Sequence, residues 1–117
     1  MSRPRKCKKV CRLPENALFM PAMGAYEKDA ICMTVDEYET ISLIDKEGFS
    51  QEECAHYMKV ARTTVQAVYA EARHKLALVI VEGKMLKIEG GDYQLCDGQE
   101  EYCGCGGCQR HRCMLGL

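Results

Sequence analysis

The chain has 117 residues with 16 basic and 17 acidic side chains, which give a net charge of −1. This length supports one modest domain, and 47% hydrophobic with 28% charged residues is the composition of an ordinary soluble fold. No apolar run reaches the ~20 residues of a membrane span, and the basic start MSRPRKCKKVCRLP lacks the apolar segment of a signal peptide. We therefore expect a cytoplasmic protein without a membrane partner, whose nine cysteines are metal ligands or buried thiols.

The charges are segregated along the chain. Residues 1–13 carry six basic side chains and no acid, residues 27–53 carry nine acids and two lysines, and residues 59–87 carry six basic side chains and two acids. Two basic zones around an acidic zone allow a folded protein to present one positive face to a polyanion. An ordinary solvated surface shows similar charge runs, so the charges alone leave both interpretations open.

The first predicted element is a short strand. Residues 9–13 alternate in polarity and stop at Pro14, which is the pattern of a half-buried strand. Residues 14–33 contain a further proline and a glycine, and we expect them to be irregular.

Two capping boxes predict the starts of the first two helices. Thr34 precedes Glu37 by three residues, and Ser50 precedes Glu53 in the same way. In such a box the hydroxyl accepts from a free amide of the first turn, and the glutamate accepts from the amide of the capping residue. Gly48 is expected to end the first helix.

A third, longer helix is predicted to begin at Arg62, after a tight turn at residues 58–61. Two helices joined by a tight turn, the second of them amphipathic, are typical of a helix-turn-helix. The positions expected to be buried within this unit are Cys54, Ala55, Met58, Val60, Val65 and Val68. Residues 76–81 are apolar on every side and must be covered by the domain or by a second copy, so we expect a homodimer.

A β-hairpin is predicted after Gly83, where the hydrophobic period changes to two. Residues 85–88 and 93–96 flank Gly90-Gly91, which fits a tight turn. A lone hairpin is marginal in water, so the strand at residues 9–13 is its expected third partner. The expected fold is mainly α with a small β element. It comprises a three-helix helix-turn-helix core, an N-terminal strand and a C-terminal hairpin in residues 1–97, and then a Cys-rich tail at residues 98–117.

The outward positions of the third helix carry the chemistry of DNA recognition. The start of this helix enters the major groove in a DNA-binding helix-turn-helix. There arginine pairs with guanine and glutamine with adenine through two hydrogen bonds, whereas phosphate contacts fix only position. The side chains predicted to contact double-stranded DNA are Arg62, Thr63, Thr64, Gln66, Ala67, Arg73 and Lys75 of the helix and Arg3, Arg5 and Lys6 of the amino terminus. A three-helix core with no nucleic-acid role has the same helix spacing, but the exposed start of this helix has no acid before Glu71.

The stretch FSQEECAHYMKVARTTVQAVYAEARHKLA resembles the helix-turn-helix of region four of bacterial sigma factors. The stretches RPRKCKKVCRLP, MPA, TVDEYETISLIDKEGFSQEE and VEGKMLKIEGGDY resemble a small prokaryotic family of predicted DNA-binding proteins, over about residues 2 to 93. The resemblance implies a transcriptional regulator. The chain departs from the usual motif at Lys59, where glycine is common in the turn, and at Ala61, where a serine usually caps the helix. Loss of such a cap costs about 1 kcal/mol.

The tail contains a glycine-rich group of cysteines. Thiolates bind zinc and iron–sulfur clusters, and glycine permits the backbone angles of a tight chelate loop. The predicted ligands are Cys103, Cys105, Cys108 and Cys113, with Cys96 and His111 as spare ligands. Zinc is preferred over an iron–sulfur cluster. A disordered thiol-rich end, disulfides, or a redox pair of Cys105 and Cys108 are the alternatives. Cys32 and Cys54 are expected to be buried.

Three function classes follow from these features. The first is a DNA-binding transcriptional regulator whose tail senses a metal or an iron–sulfur cluster. The second is a metal or iron–sulfur accessory protein whose helix-turn-helix contacts another protein. An enzyme is the weakest, because we find no Ser/His/Asp arrangement, phosphate-cradling loop or paired acids, so we expect no catalytic activity.

Overall fold

Three helices and a few short strands make up the protein in the computed structural model, which describes residues 8–10 and 13–95. The helices are α1 (Val35–Ile41), α2 (Gln51–Met58) and α3 (Arg62–Glu82), and the strands are β1 (Lys8–Val10), β2 (Leu18–Phe19), β3 (Ile31–Met33), β4 (Leu86–Ile88) and β5 (Tyr93–Leu95). A π-helical turn (Ser42–Lys46) continues α1, and a 3-10 turn (Glu27–Asp29) precedes β3. The mainly helical class with a small β element is therefore confirmed, while the boundary at residue 97 and the tail lie outside the described residues.

Both predicted capping boxes are present. The Glu37 amide donates to Thr34 Oγ1 at 3.3 Å, and the Thr34 amide donates to Glu37 Oε1 at 2.9 Å. The Ser50 and Glu53 pair makes the same two bonds at 2.8 and 3.0 Å. Gly48 follows the π-helical turn with a φ of 84°, in the left-handed region that favours glycine.

The core has two clusters, and α3 runs through both. The first joins α2 to the start of α3 and contains the buried residues Leu43, Cys54, Ala55, Tyr57, Met58 and Val65. The second joins the middle of α3 to the strands and contains Met33, Ala72, Leu86 and Ile88, with Tyr38, Ile41, Leu76 and Val79 packed against it. The long helix is therefore held by α2 near its start and by the sheet further along.

The predicted hairpin is wrong, although both of its strands exist. β4 is the centre of a three-stranded sheet of order β2-β4-β3, antiparallel to β2 and parallel to β3. β5 instead pairs with β1 in parallel, with Lys8 opposite Tyr93. The turn between β4 and β5 does not fold back, because Gly90 O accepts from the Val35 amide at 2.9 Å and the chain continues past the start of α1.

The prediction that residues 14–33 are irregular is wrong in part. They contain β2, the 3-10 turn and the whole of β3. These strands have two and three residues, which is too short for a hydrophobic period to be visible in the sequence. Pairing with β4 and burial of Met33 fix them instead.

The apolar stretch at residues 76–81 is only half covered. Leu76 and Val79 pack on the second core cluster. Ile80 and Val81 remain 77% and 81% exposed. Within the described residues, no helix combines the length and apolar character that crossing a bilayer requires.

Candidate nucleic-acid interface

The turn between α2 and α3 is built on a left-handed residue. Lys59 has φ 60° and ψ 44°. Among the described residues it is the one non-glycine residue with a positive φ. Its amide and that of Val60 donate back to carbonyls of α2, at His56 O (3.3 Å) and Ala55 O (3.1 Å). Lys59 thus has the left-handed conformation for which glycine is common in this turn, at a typical cost of about 1–2 kcal/mol.

The predicted inner face of the two helices is largely confirmed. Cys54, Ala55 and Met58 of α2 are buried, and Val65 is the buried anchor near the start of α3. Val60 and Val68 are only half-buried. Because Val65 lies one turn into α3, the residues around it are presented outward at fixed positions.

The outward face at the start of α3 carries most of the predicted contact residues. Arg62, Thr63, Gln66 and Ala67 are exposed, whereas Thr64 is half-buried. Arg62 and Gln66 are four residues apart and therefore adjacent on one face of the helix. The structure brings these two together, as base reading by both requires.

The start of α3 has a positive electrostatic character. Its first turn contains no acid, and Ala61 provides no side-chain hydrogen bond to the free amides. Free amides and the helix dipole together favour an anion at this end. Lys59 is exposed in the preceding turn. The sequence marks Lys59 as a departure from glycine, and a cation directly before the positively polarised start of α3 is also a signal of anion binding.

Arg73 lies farther along α3 with intramolecular partners. Its Nη1 donates to Tyr69 Oη at 2.7 Å and lies 3.5 Å from Asp45 Oδ1, and Tyr69 Oη donates to the same carboxylate at 2.8 Å. The hydrogen bond to Tyr69 raises the pKa of Arg73. With 60% of its side chain exposed, Arg73 can still face a phosphate.

Lys75 lies on a different side of α3. Its Nζ is 2.7 Å from Glu37 Oε1, and only 20% of its side chain is exposed. A phosphate contact from Lys75 would have to compete with this carboxylate, so the structure separates Lys75 from the exposed group. Arg3, Arg5 and Lys6 lie outside the described residues.

The cysteines divide into two environments. Cys54 is fully buried as predicted, and burial raises the pKa of its thiol to about 12, with a smaller contribution from Glu39. Cys32 is exposed, and the prediction that it is buried is wrong. In β3 its neighbour Met33 points into the core, so strand alternation turns Cys32 outward.

The predicted metal ligands Cys103, Cys105, Cys108 and Cys113 lie outside the described residues. Among residues 8–10 and 13–95, no group of three His, Cys, Asp or Glu side chains is placed to hold a metal ion. The strand that precedes the tail, β5, pairs with β1, and β1 packs on α1 and α2. Because the predicted hairpin does not form, β5 lies beside β1 and not beside β4.

These features define a small, mainly helical domain with α2 and α3 in a helix-turn-helix arrangement. The chain belongs to the family described as "Protein of unknown function DUF134", whose model matches residues 1–96. UPF0251 protein DSY3441 of Desulfitobacterium hafniense is 58% identical over 117 residues, which cover 99% of this chain and 93% of that protein. UPF0251 protein CT1277 of Chlorobaculum tepidum is 40% identical over 109 residues, covering 92% and 55% of the two chains. No solved structure matches significantly.

Proposed function

We propose that this protein is a sequence-specific double-stranded DNA-binding protein, without catalytic activity, that regulates transcription. The observation that supports the proposal is the exposed, acid-free start of α3, which the buried Val65 holds in position. In this arrangement the first two turns of α3 enter the major groove. The resemblance to sigma-factor region four is consistent with the same orientation.

The exposed residues divide into base-reading and phosphate-binding groups. Arg62 and Gln66 face the base edges, where their side chains hydrogen-bond to guanine and adenine. Thr63 and Lys59 flank them and contact phosphates, which position the helix without reading sequence. Arg73 adds a phosphate contact farther along the same helix. The amino-terminal Arg3, Arg5 and Lys6 supply further positive charge.

The tail forms the sensing part of the proposal. Cys103, Cys105, Cys108 and Cys113 bind one zinc ion or, as the alternative, one iron–sulfur cluster. Sequence spacing supports this assignment for Cys105, Cys108 and Cys113, which are separated by two and four residues, whereas the single residue between Cys103 and Cys105 is less typical of zinc. The state of the site then alters DNA affinity.

In this proposal the protein acts as a homodimer. Two copies read two half-sites about 34 Å apart, one helical turn of DNA. The uncovered side of residues 76–81 supports an association between copies.

A metal or iron–sulfur accessory protein is the second candidate. The exposed acids Glu52 and Glu53 in the first turn of α2 favour it, because carboxylates at this position repel phosphate. In this alternative the helix-turn-helix contacts another protein.

The test of DNA reading is selection of bound duplexes from a random pool, followed by affinity measurements on the selected site. Gln66→Ala is expected to relax specificity at one base pair by about 1–3 kcal/mol. Gln94→Ala is the matched control, because Gln94 is an exposed glutamine on β5, away from α3. A selected sequence that is unchanged in Gln66→Ala contradicts this placement of α3, and failure to select any sequence favours the second candidate.

A further inference from the structure

Large apolar side chains are exposed around the last turn of α3. This surface, which we call the apolar end, consists of Phe19, Met20, Met23, Ile80 and Val81. Met23 is 98% exposed and Val81 is 81% exposed. Scattered exposed apolar residues are normal on a protein surface, but a contiguous group of large ones marks an interaction site.

Two segments distant in sequence meet at the apolar end. Phe19 in β2 is paired with Leu86 in β4, the strand that directly follows α3. A methyl group at Gly83, the C-cap of α3, would lie 3.9 Å from Pro21 Cγ. The loop after β2 therefore lies against the end of α3, within one turn of Ile80 and Val81.

The exposed area fits a small protein–protein interface. Five large apolar side chains that are about half to fully exposed present on the order of 500 Å². Two such surfaces bury about 1,000 Å² together, which is near the lower limit for a specific interface. We therefore expect an association through this surface alone to be weak rather than obligate.

The charges around the apolar end favour a second copy over a polyanion. Residues 18–29 and 80–87 contain three lysines and three acids. Two of these lysines are paired with acids of the same region, Lys84 with Glu82 and Lys87 with Glu27. Nucleic acid or an anionic lipid surface requires a net positive rim, which is absent from these two ranges. A neutral rim with both signs around an apolar centre matches its own copy in a two-fold interface.

We infer that the apolar end is the surface through which a second copy of this chain docks. The inference deepens the homodimer part of the proposed function and rests on it. The 21 residues of α3 extend about 31 Å at 1.5 Å per residue. Docking at the end of α3 therefore leaves Arg62, at its start, free for DNA.

The test is sedimentation equilibrium of the full chain over a micromolar concentration series. The wild type is expected to dimerise, and the double variant Ile80→Glu/Val81→Glu to weaken the dimer at least about 30-fold, the effect of losing an interface hot spot. His56→Glu introduces the same carboxylate at an exposed position of α2 and is expected to leave the dimer unchanged. Because Ile80 and Val81 are exposed, thermal melts of the variants should match the wild type.

A wild-type chain that is monomeric throughout the series overturns the inference. A dimer that resists the double substitution in a folded protein places the interface elsewhere. Binding of both proteins to a duplex of about 20 base pairs at low salt is measured in parallel. Loss of binding in both contradicts the DNA-binding proposal while leaving the docking result intact.

Discussion

Lys59 has a left-handed backbone conformation, which is unfavourable for a residue with a Cβ atom. A left-handed conformation costs an L-residue about 1–2 kcal/mol, and glycine avoids this cost. We expect Lys59→Gly to raise the free energy of unfolding by about 1 kcal/mol, less whatever the lysine side chain contributes. Lys59→Ala keeps the Cβ atom and should show no such gain. Urea denaturation of the three proteins measures the difference.

The same pair of variants separates stability from DNA binding. If Lys59 contacts one phosphate, both variants should reduce the log–log salt slope by about 0.9. Equal slopes in the wild type and both variants would remove Lys59 from the interface, whatever the stability result.

Cys54 makes stability depend on pH in the alkaline range. Burial raises the pKa of its thiol from 9.0 to about 12 in the folded protein. Between these values the folded state holds a proton that the unfolded state has released. The stabilisation is therefore complete below pH 9 and is lost as the pH rises toward 12, with a slope of at most about 1.4 kcal/mol per pH unit.

Cys54→Ala tests this dependence. The variant is less stable overall because it leaves a cavity, but its free energy of unfolding should fall less steeply than that of the wild type above pH 9. Chemical denaturation at a series of pH values gives both slopes. Parallel slopes would mean that the thiol does not cause the dependence.

Gly91 allows the chain to pass close to the start of α1, because it has no Cβ atom. Its φ is 107°, and an added Cβ would lie 2.7 Å from Thr34 Cβ and also meet Asp36 Oδ1. We expect Gly91→Ala to destabilise the protein by at least about 2 kcal/mol, because strain and a clash with the capping box combine. Gly24→Ala is the matched control: its φ is 94°, but nothing lies within 4 Å of the added methyl. A similar loss in both variants would show that backbone strain alone accounts for the effect.

Local signals in the sequence predicted the helices, whereas contacts between residues distant in sequence could not be predicted. The capping boxes of Thr34 and Ser50 act over three residues, so both helix starts were predictable. Lys8 pairs with Tyr93, which is 85 positions away in the sequence. A three-residue strand is too short for its hydrophobic pattern to predict such a pairing. The ion pair of Lys75 with Glu37 could not be predicted for the same reason, because the two residues are 38 positions apart.

At the scale of the whole molecule, α3 connects two surfaces of different chemistry. Its start is exposed, free of acids in the first turn and preceded by Lys59. Its end meets the loop after β2 in an apolar surface of neutral charge. β5, the last described strand, lies beside β1, which packs on α1 and α2. In the proposed function, a change of state in residues 98–117 therefore reaches α1 and α2 through β5 and β1 before it reaches α3.

This route predicts coupling between the tail and DNA affinity. In the proposed function, metal binding orders a loop and gathers thiolates, and the resulting change in DNA affinity should be about 5- to 150-fold. The measurement compares the wild type with a Cys103/Cys105/Cys108 triple serine variant, each with and without metal. Equal affinity in all four conditions would mean that the tail is a structural clip or a carrier site, and the accessory-protein alternative would gain.

The central claim is that the start of α3 binds DNA, and the salt dependence of binding tests it most directly. With roughly four to six phosphates neutralised, the wild type should bind duplex DNA with a log–log salt slope of roughly −4 to −5. Arg62→Ala should weaken binding, whereas Lys28→Ala should not, because Lys28 is exposed on the 3-10 turn whose Glu27 pairs with Lys87 of β4, beyond the other end of α3. A binding curve without salt dependence, or equal losses in both variants, would contradict the account.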